Sequence, residues 1–191
     1  MSDWAAKRFW SNVTIECRDA QHVILLDGRL VKTPAKATLV VPTRAMAEAI
    51  AAEWDAQDDK IDPRTMPTTR SANAALDKVT PQKAEVAALI AAYGEDDFLC
   101  YRAPAPQELI ERQKEAWDPL LAWAAEVLDA PLLTFEGVMH VVQPASSVIN
   151  LQALVTSLQP FDLVALLDLV ILSGCLCGCL VAHAVSFGYI G

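Results

Sequence analysis

A chain of 191 residues, 53 % hydrophobic and 20 % charged, is long enough to bury one ordinary core or two small ones. Its formal net charge of −9 excludes the basic face that nucleic-acid binding requires. The charge is uneven: all 15 Lys and Arg lie at or before Lys114, and seven of the 24 acids lie beyond it. The nearly uncharged final third therefore needs cover from the rest of the domain, from a partner or from lipid.

The opening MSDWAAKRFW lacks the apolar core of a secretory signal, and its Asp3 is foreign to an acid-poor transit peptide. Five cysteines, an odd number with no CxxC pair, suit free thiols in a reducing compartment. These features point to a cytoplasmic protein, or to an organelle matrix if the source is eukaryotic.

Val13–Cys17 alternates apolar and polar residues and reads as a strand with one buried face. Val23–Leu26 and Arg29–Val31 flank Asp27-Gly28, the pair that a type I′ hairpin turn demands because both central residues take φ > 0. Leu39–Val41 is a further extended run, ended by Pro42. Thr43 caps a helix over Arg44–Gln57, whose apolar stripe of Met46, Ala49 and Ile50 ends at Glu53 and Trp54. Asp62-Pro63 and Met66-Pro67 mark a turn-rich connection, and from about Thr69 the period is helical.

A short helix closes at Leu76 and Val79. Thr80-Pro81 restarts another, with threonine as its cap and Val86, Leu89, Ile90 and Tyr93 as its buried stripe. Gly94 ends it, and Glu95-Asp96-Asp97 reads as a solvated acidic loop. A helix carrying Leu109, Gln113 and Trp117 stops at Asp118-Pro119, because the residue before proline is pushed out of the α region. A second helix starts there, with Leu120, Trp123, Ala124 and Val127 on its apolar face. Leu132–Phe135 reads as a short strand, and Pro144–Leu158 and Phe161–Val185 as helices. The whole is of the α+β class: a β-rich domain over residues 1–60 that ends in a helix, then an all-α domain over 61–191.

The run LLDGRLVKTPAKATLVVPTRAMAEAIAAEW resembles the assembly chaperones that act on the alpha subunit of the F-type ATP synthase head. That family carries an LDGR-x-V-x-TP-x-K hairpin, a PT-x-A-x-A helix start and an AxEW-x-x-Q helix end. IDPRTMPTTRSANAALD at 61–77, LCYRA at 99–103 and RQKEAWDPLLAWA at 112–124 also match, so the resemblance covers roughly residues 8 to 174. It implies a non-enzymatic protein that binds unassembled alpha subunit, without cofactor or metal, and covers surface that the beta subunit later takes. Within the matching motifs, Asp27, Arg29, Lys32, Glu53, Trp54, Arg102, Trp117 and Asp118 are the partner-binding candidates. After Ser173-Gly174 the chain departs from the family pattern, running CLCGCLVAHAVSFGYIG where relatives continue with other helices. That departure implies an exposed Phe161–Val185 helix and an association-prone protein.

Other constellations are weaker. His22, His140 and His183 have no metal-ligand spacing. Cys175-x-Cys177-x-Cys179 cannot converge on one tetrahedral zinc from a helix, because Cys177 points away from the other two, so buried thiols are the plain reading. The uncharged run Leu169–Ala182 is short for a membrane span, and Asp168 borders it. An adaptor anchored in a membrane by this helix is the competing reading. No phosphate loop, nucleophile elbow or paired catalytic carboxylates appear.

Overall fold

The computed structural model describes residues 7–186. The segment Met1–Ala6 read for targeting signals, and residues 187–191 of the divergent tail, lie outside the described residues. The fold is α+β, with antiparallel strands first and helices after them. The chain forms two compact units, Met1–Pro81 and Gln82–Gly191.

In the first unit, β1 (Val13–Arg18) pairs antiparallel with β2 (Gln21–Leu26) in the register Ile15 to Ile24. Asp27 (φ 47°) and Gly28 (φ 77°) then make the type I′ turn into β3 (Arg29–Leu30). β4 (Val40–Val41) also pairs with β2, at its other end, through His22 to Val41. Val23 to Leu26 are all buried, so β2 is the central strand and reads as a continuous apolar run rather than an alternating one. Helix α1 (Arg44–Asp55) packs on β1 and β2 through Ala47 and Ile50. The Thr43 hydroxyl accepts the Met46 N–H at 3.2 Å and so caps this helix. Helix α2 (Pro67–Ala74) packs on α1 and widens into a single π-turn at Ala75–Val79.

The second unit holds α3 (Lys83–Ala91), β5 (Tyr101–Arg102), α4 (Gln107–Val127), β6 (Phe135–Glu136), α5 (Ala145–Ser157), α6 (Pro160–Ser173) and α7 (Leu176–Ser186). Short strands β5 and β6 pair in parallel. The core is the meeting of α3 with α5 and α6, and of α7 with α4 and α6, around Ile90, Leu151, Leu163, Leu166 and Leu176.

Several local expectations are overruled by packing. Thr80 is not a cap: its hydroxyl donates back to the Ala75 carbonyl at 2.7 Å, and α3 begins only at Lys83. On that helix Ile90 is buried but Leu89 is exposed, so the stripe is narrower than its composition suggests. Helix α4 runs unbroken through Asp118-Pro119. Proline there removes one helix N–H donor, but the burial of Leu121 and Ala124 just beyond keeps the backbone helical. The acidic loop is solvated only in part, since Asp97 is fully buried.

The expected Phe161–Val185 helix is two helices. Gly174 adopts φ +67°, a left-handed C-cap in which its N–H donates to the Val170 carbonyl at 2.8 Å. Over Leu176–Ser186 the divergent stretch thereby turns back as α7, burying Leu176, Cys177, Cys179, Leu180 and Ala184. Leu169, Ile171 and Leu172 of α6 do stay exposed. Among the described residues no helix is long and apolar enough to cross a membrane.

Candidate functional site

In the β-rich unit the motif residues act mainly as internal fasteners. The Asp27 carboxylate accepts the backbone N–H of Ser11 at 3.0 Å and of Asn12 at 2.9 Å, tying the segment before β1 to the hairpin turn. Glu53 accepts the N–H groups of Thr68 and Thr69 at 2.6 and 2.8 Å and the Thr69 hydroxyl at 2.7 Å. A carboxylate on the first N–H groups of α2 satisfies donors that the helix itself cannot, and complements its dipole. Burial raises the Glu53 pKa, but the bonds from Thr69 and Thr68 outweigh it and hold the carboxyl below its ordinary value.

One turn further, buried Gln57 donates to the Glu53 carbonyl at 3.0 Å and to the Thr65 hydroxyl at 3.0 Å. Its side-chain oxygen accepts the Asp62 N–H at 2.7 Å. The Glu-Trp-x-x-Gln sequence is thus the latch that holds residues 62–69 against α1. Trp54 meets Trp10 edge-on at 5.2 Å between ring centroids, and Arg8 lies 5.4 Å over Trp10. Arg29 and Lys32 are exposed, with the Arg29 guanidinium 6.0 Å from the Phe9 ring. Asp27 is exposed as well, but its carboxylate is engaged by the Ser11 and Asn12 N–H groups.

In the helical unit three candidates come together. Arg102 pairs with Asp118 at 2.7 Å, donates to the Leu99 carbonyl at 2.8 Å and lies 5.4 Å over the Trp117 ring. Trp117 in turn packs on Phe98 at 5.5 Å. A guanidinium that is paired through one nitrogen to a carboxylate and stacked on a ring holds that ring more firmly than a lysine would. The continuous α4 makes the assembly possible, because Trp117 and Asp118 sit on the same helix just before Pro119.

Beside it opens a shallow cleft of about 460 Å³ lined by Leu89, Ala92, Tyr93, Asp96, Phe98 and Tyr101. Phe98 is 52 % exposed there. The Tyr101 hydroxyl donates to Asp96, and that bond, ahead of the contact with His140, keeps the Asp96 carboxyl below its ordinary pKa. His140 lies 3.3 Å from Asp96 and brings its own segment to the cleft edge. That segment shows Val138 at 88 %, Met139 at 77 % and Val142 at 79 % exposure. These open apolar side chains stand beside a polar edge made by Asp96 and His140. This patch was not legible in the sequence beyond Trp117: residues 138–142 carry no turn or periodicity signal, and Leu89 read as core. The apolar run Val138-Met139 and Val141-Val142 outside any helix pattern was the available clue.

The cysteine motif is inert chemistry. Burial, and next the proximity of Asp97, push the thiols of Cys100 and Cys175 up to about 12 and that of Cys177 higher. Among the described residues no group of three or more His, Cys, Asp or Glu is placed to hold a metal ion.

Residues 7–125 match the family model described as ATP12 chaperone protein. Over 140 residues the chain is 30 % identical to Protein atp12, mitochondrial, of Schizosaccharomyces pombe, covering 69 % of this chain and 48 % of that protein. The chain thus spans about half the length of that curated relative. The crystal structure of Atp12 from Paracoccus denitrificans superposes with a TM-score of 0.89 at 49 % identity, covering 97 % of this chain and 78 % of that one. The Agrobacterium tumefaciens protein Atu1473 gives 0.85 at 37 % identity, covering 96 % and 68 %.

Proposed function

This chain belongs to the ATP12 chaperone family, and from that membership we propose that it is an assembly chaperone of the F-type ATP synthase. Its client is the unassembled alpha subunit of the catalytic head, which it binds and keeps from aggregating until the beta subunit takes the same surface. The reading rests on one structural observation beside the kinship: the open apolar surface of Phe98 and Val138–Val142, with its polar rim, on an otherwise folded unit. Such a surface suits a client whose own interface is apolar and awaiting a partner.

Within the candidate set, Arg29, Lys32, Trp117 and Asp118 are the contact residues of this proposal. Asp27, Glu53, Trp54 and Arg102 act through the hairpin, the latch and the stacked ring that they hold in place. The compartment is the one in which the synthase head is assembled: the bacterial cytoplasm or, for a eukaryotic source, the mitochondrial matrix.

Co-purification with separately expressed alpha and beta subunits tests this. Capture of alpha and not beta, lost in Phe98→Asp and in Met139→Asp, is the expected result. Both positions are exposed, so the variants keep their circular dichroism. Folded wild-type protein that captures neither subunit, or both equally, overturns the proposal.

A further inference from the structure

A second groove lies elsewhere on the helical unit, away from every residue discussed so far as a client contact. It has a volume of about 490 Å³, and its walls are Trp123, Val127 and Leu128 at the end of α4, Leu154 and Leu158 around the end of α5, and Leu180 of α7. Its polar groups are few. Asp162, which also accepts the Gln159 N–H at 3.2 Å in the capping box of α6, stands 3.5 Å from His183.

The electrostatics of this groove are one-sided. The chain carries no Lys or Arg beyond Lys114, so no wall of the groove supplies a fixed positive charge. Glu126 and Asp129, both exposed, are the chain neighbours of the lining residues Val127 and Leu128, and Asp162 is itself a lining residue. His183, beside Asp162, is the one titratable base among the lining residues. The fixed charges at this apolar trough are therefore acidic and favour a segment that is apolar on one face and basic at its edges. An acidic or neutral segment of the same apolarity gains the burial without the attraction.

We infer that this groove is a docking site for an amphipathic helix bearing Lys or Arg beside its apolar face. It rests on the chaperone reading only in identifying that helix as a segment of the client. Apolar anchors enter between Trp123, Val127 and Leu158, and the basic residues face Glu126, Asp129 and Asp162. Helix-in-groove recognition of this kind takes its affinity from the anchors and its selectivity and salt dependence from the flanking charge.

The test uses the full chain and a fluorescein-labelled Leu/Lys amphipathic model helix, with a Leu/Glu helix of the same pattern as its counterpart. Binding of the Leu/Lys helix is expected to be at least roughly tenfold tighter, which corresponds to about 1.4 kcal/mol. It should weaken steeply as salt is raised and fall by a similar factor in Ser157→Trp, which plugs the groove from an exposed position. Val127→Gln, at a residue 56 % exposed, gives a second variant that leaves the core alone. Equal binding of the two model helices, or binding indifferent to both substitutions, overturns the inference.

Capture of alpha subunit separates the two claims. Undiminished capture by Ser157→Trp removes the groove from client binding and leaves the chaperone proposal standing. Groove-dependent binding of the Leu/Lys helix, without capture of alpha by the wild-type chain, removes the chaperone proposal and leaves the groove.

Discussion

The Asp97 carboxylate accepts the backbone N–H of Cys177 at 2.8 Å, a bond that joins positions 80 residues apart. Its other oxygen accepts the Leu99 N–H at 2.9 Å. One fully buried acid therefore caps the 3-10 turn Phe98–Cys100, which presents Phe98, and occupies the start of α7. It governs both the candidate surface and the docking of the divergent tail.

Replacing it should be costly. Asp97→Ala strands two buried N–H donors, and the expected loss is about 3 kcal/mol of helical-unit stability. Asp97→Asn keeps an acceptor and should lose less. Guanidinium denaturation followed by circular dichroism measures both, and equal stability of Asp97→Ala and wild type would show that α7 is held by its apolar face alone.

Glu53 gives a pH dependence with a definite sign. Its folded pKa lies below the ordinary value of 4.5, so its stabilisation is present above that value and is lost as the pH falls through the depressed folded pKa. The β-rich unit should therefore weaken as the pH drops below about 4.5. Glu53→Gln should be less stable at pH 7, by about 1 kcal/mol for the weakened cap on α2, and should show a flatter acid limb. Parallel acid limbs in the two proteins would assign the acid loss to other carboxylates.

Thiol titration distinguishes one cysteine from four. Cys17 is exposed, whereas Cys100, Cys175, Cys177 and Cys179 are buried with raised pKa values. Native protein at neutral pH should react rapidly at Cys17 alone, and the rest should follow only on denaturation. Fast modification of the Cys175–Cys179 group would mean that α7 opens readily in solution.

Gly174→Ala tests the break between α6 and α7. The left-handed φ of +67° carries the penalty, since an added Cβ would meet Phe98 at an ordinary 3.6 Å. A loss of about 1–2 kcal/mol is expected, with Gly174→Asn less affected because asparagine tolerates this conformation better. An unchanged alanine variant would mean that the two helices can merge into one.

Local chemistry was readable wherever the chain makes its structure from neighbours. Asp27-Gly28, Thr43 and the α+β order could all be read because a hairpin turn, a cap and a change of period each depend on adjacent residues. What sequence could not show was decided across distance. Pro119 is tolerated inside α4 because Leu121 and Ala124 are buried, and Asp97 is buried because α7 arrives from far along the chain to meet it. The candidate set had the same character: Arg102, Trp117 and Asp118 were each visible, but their stacking is a tertiary fact. The EW-x-x-Q motif was legible as a signature and illegible as a latch, since its partners Asp62, Thr65, Thr68 and Thr69 lie across a turn-rich loop.

The reach of these fastenings also sets an order of events during synthesis. Arg8 to the Gln57 carbonyl spans 49 positions and Ala35 to Asp77 spans 42, so the β-rich unit has its long-range bonds in hand once residue 81 has emerged. The helical unit must wait for Cys177 before the Asp97 cap closes and Leu176 and Leu180 are covered. Until then its apolar helices lack that cover, and non-local closure of this kind is slow and aggregation-exposed. Nascent chains halted before that point should be among the substrates of the cell's general folding machinery.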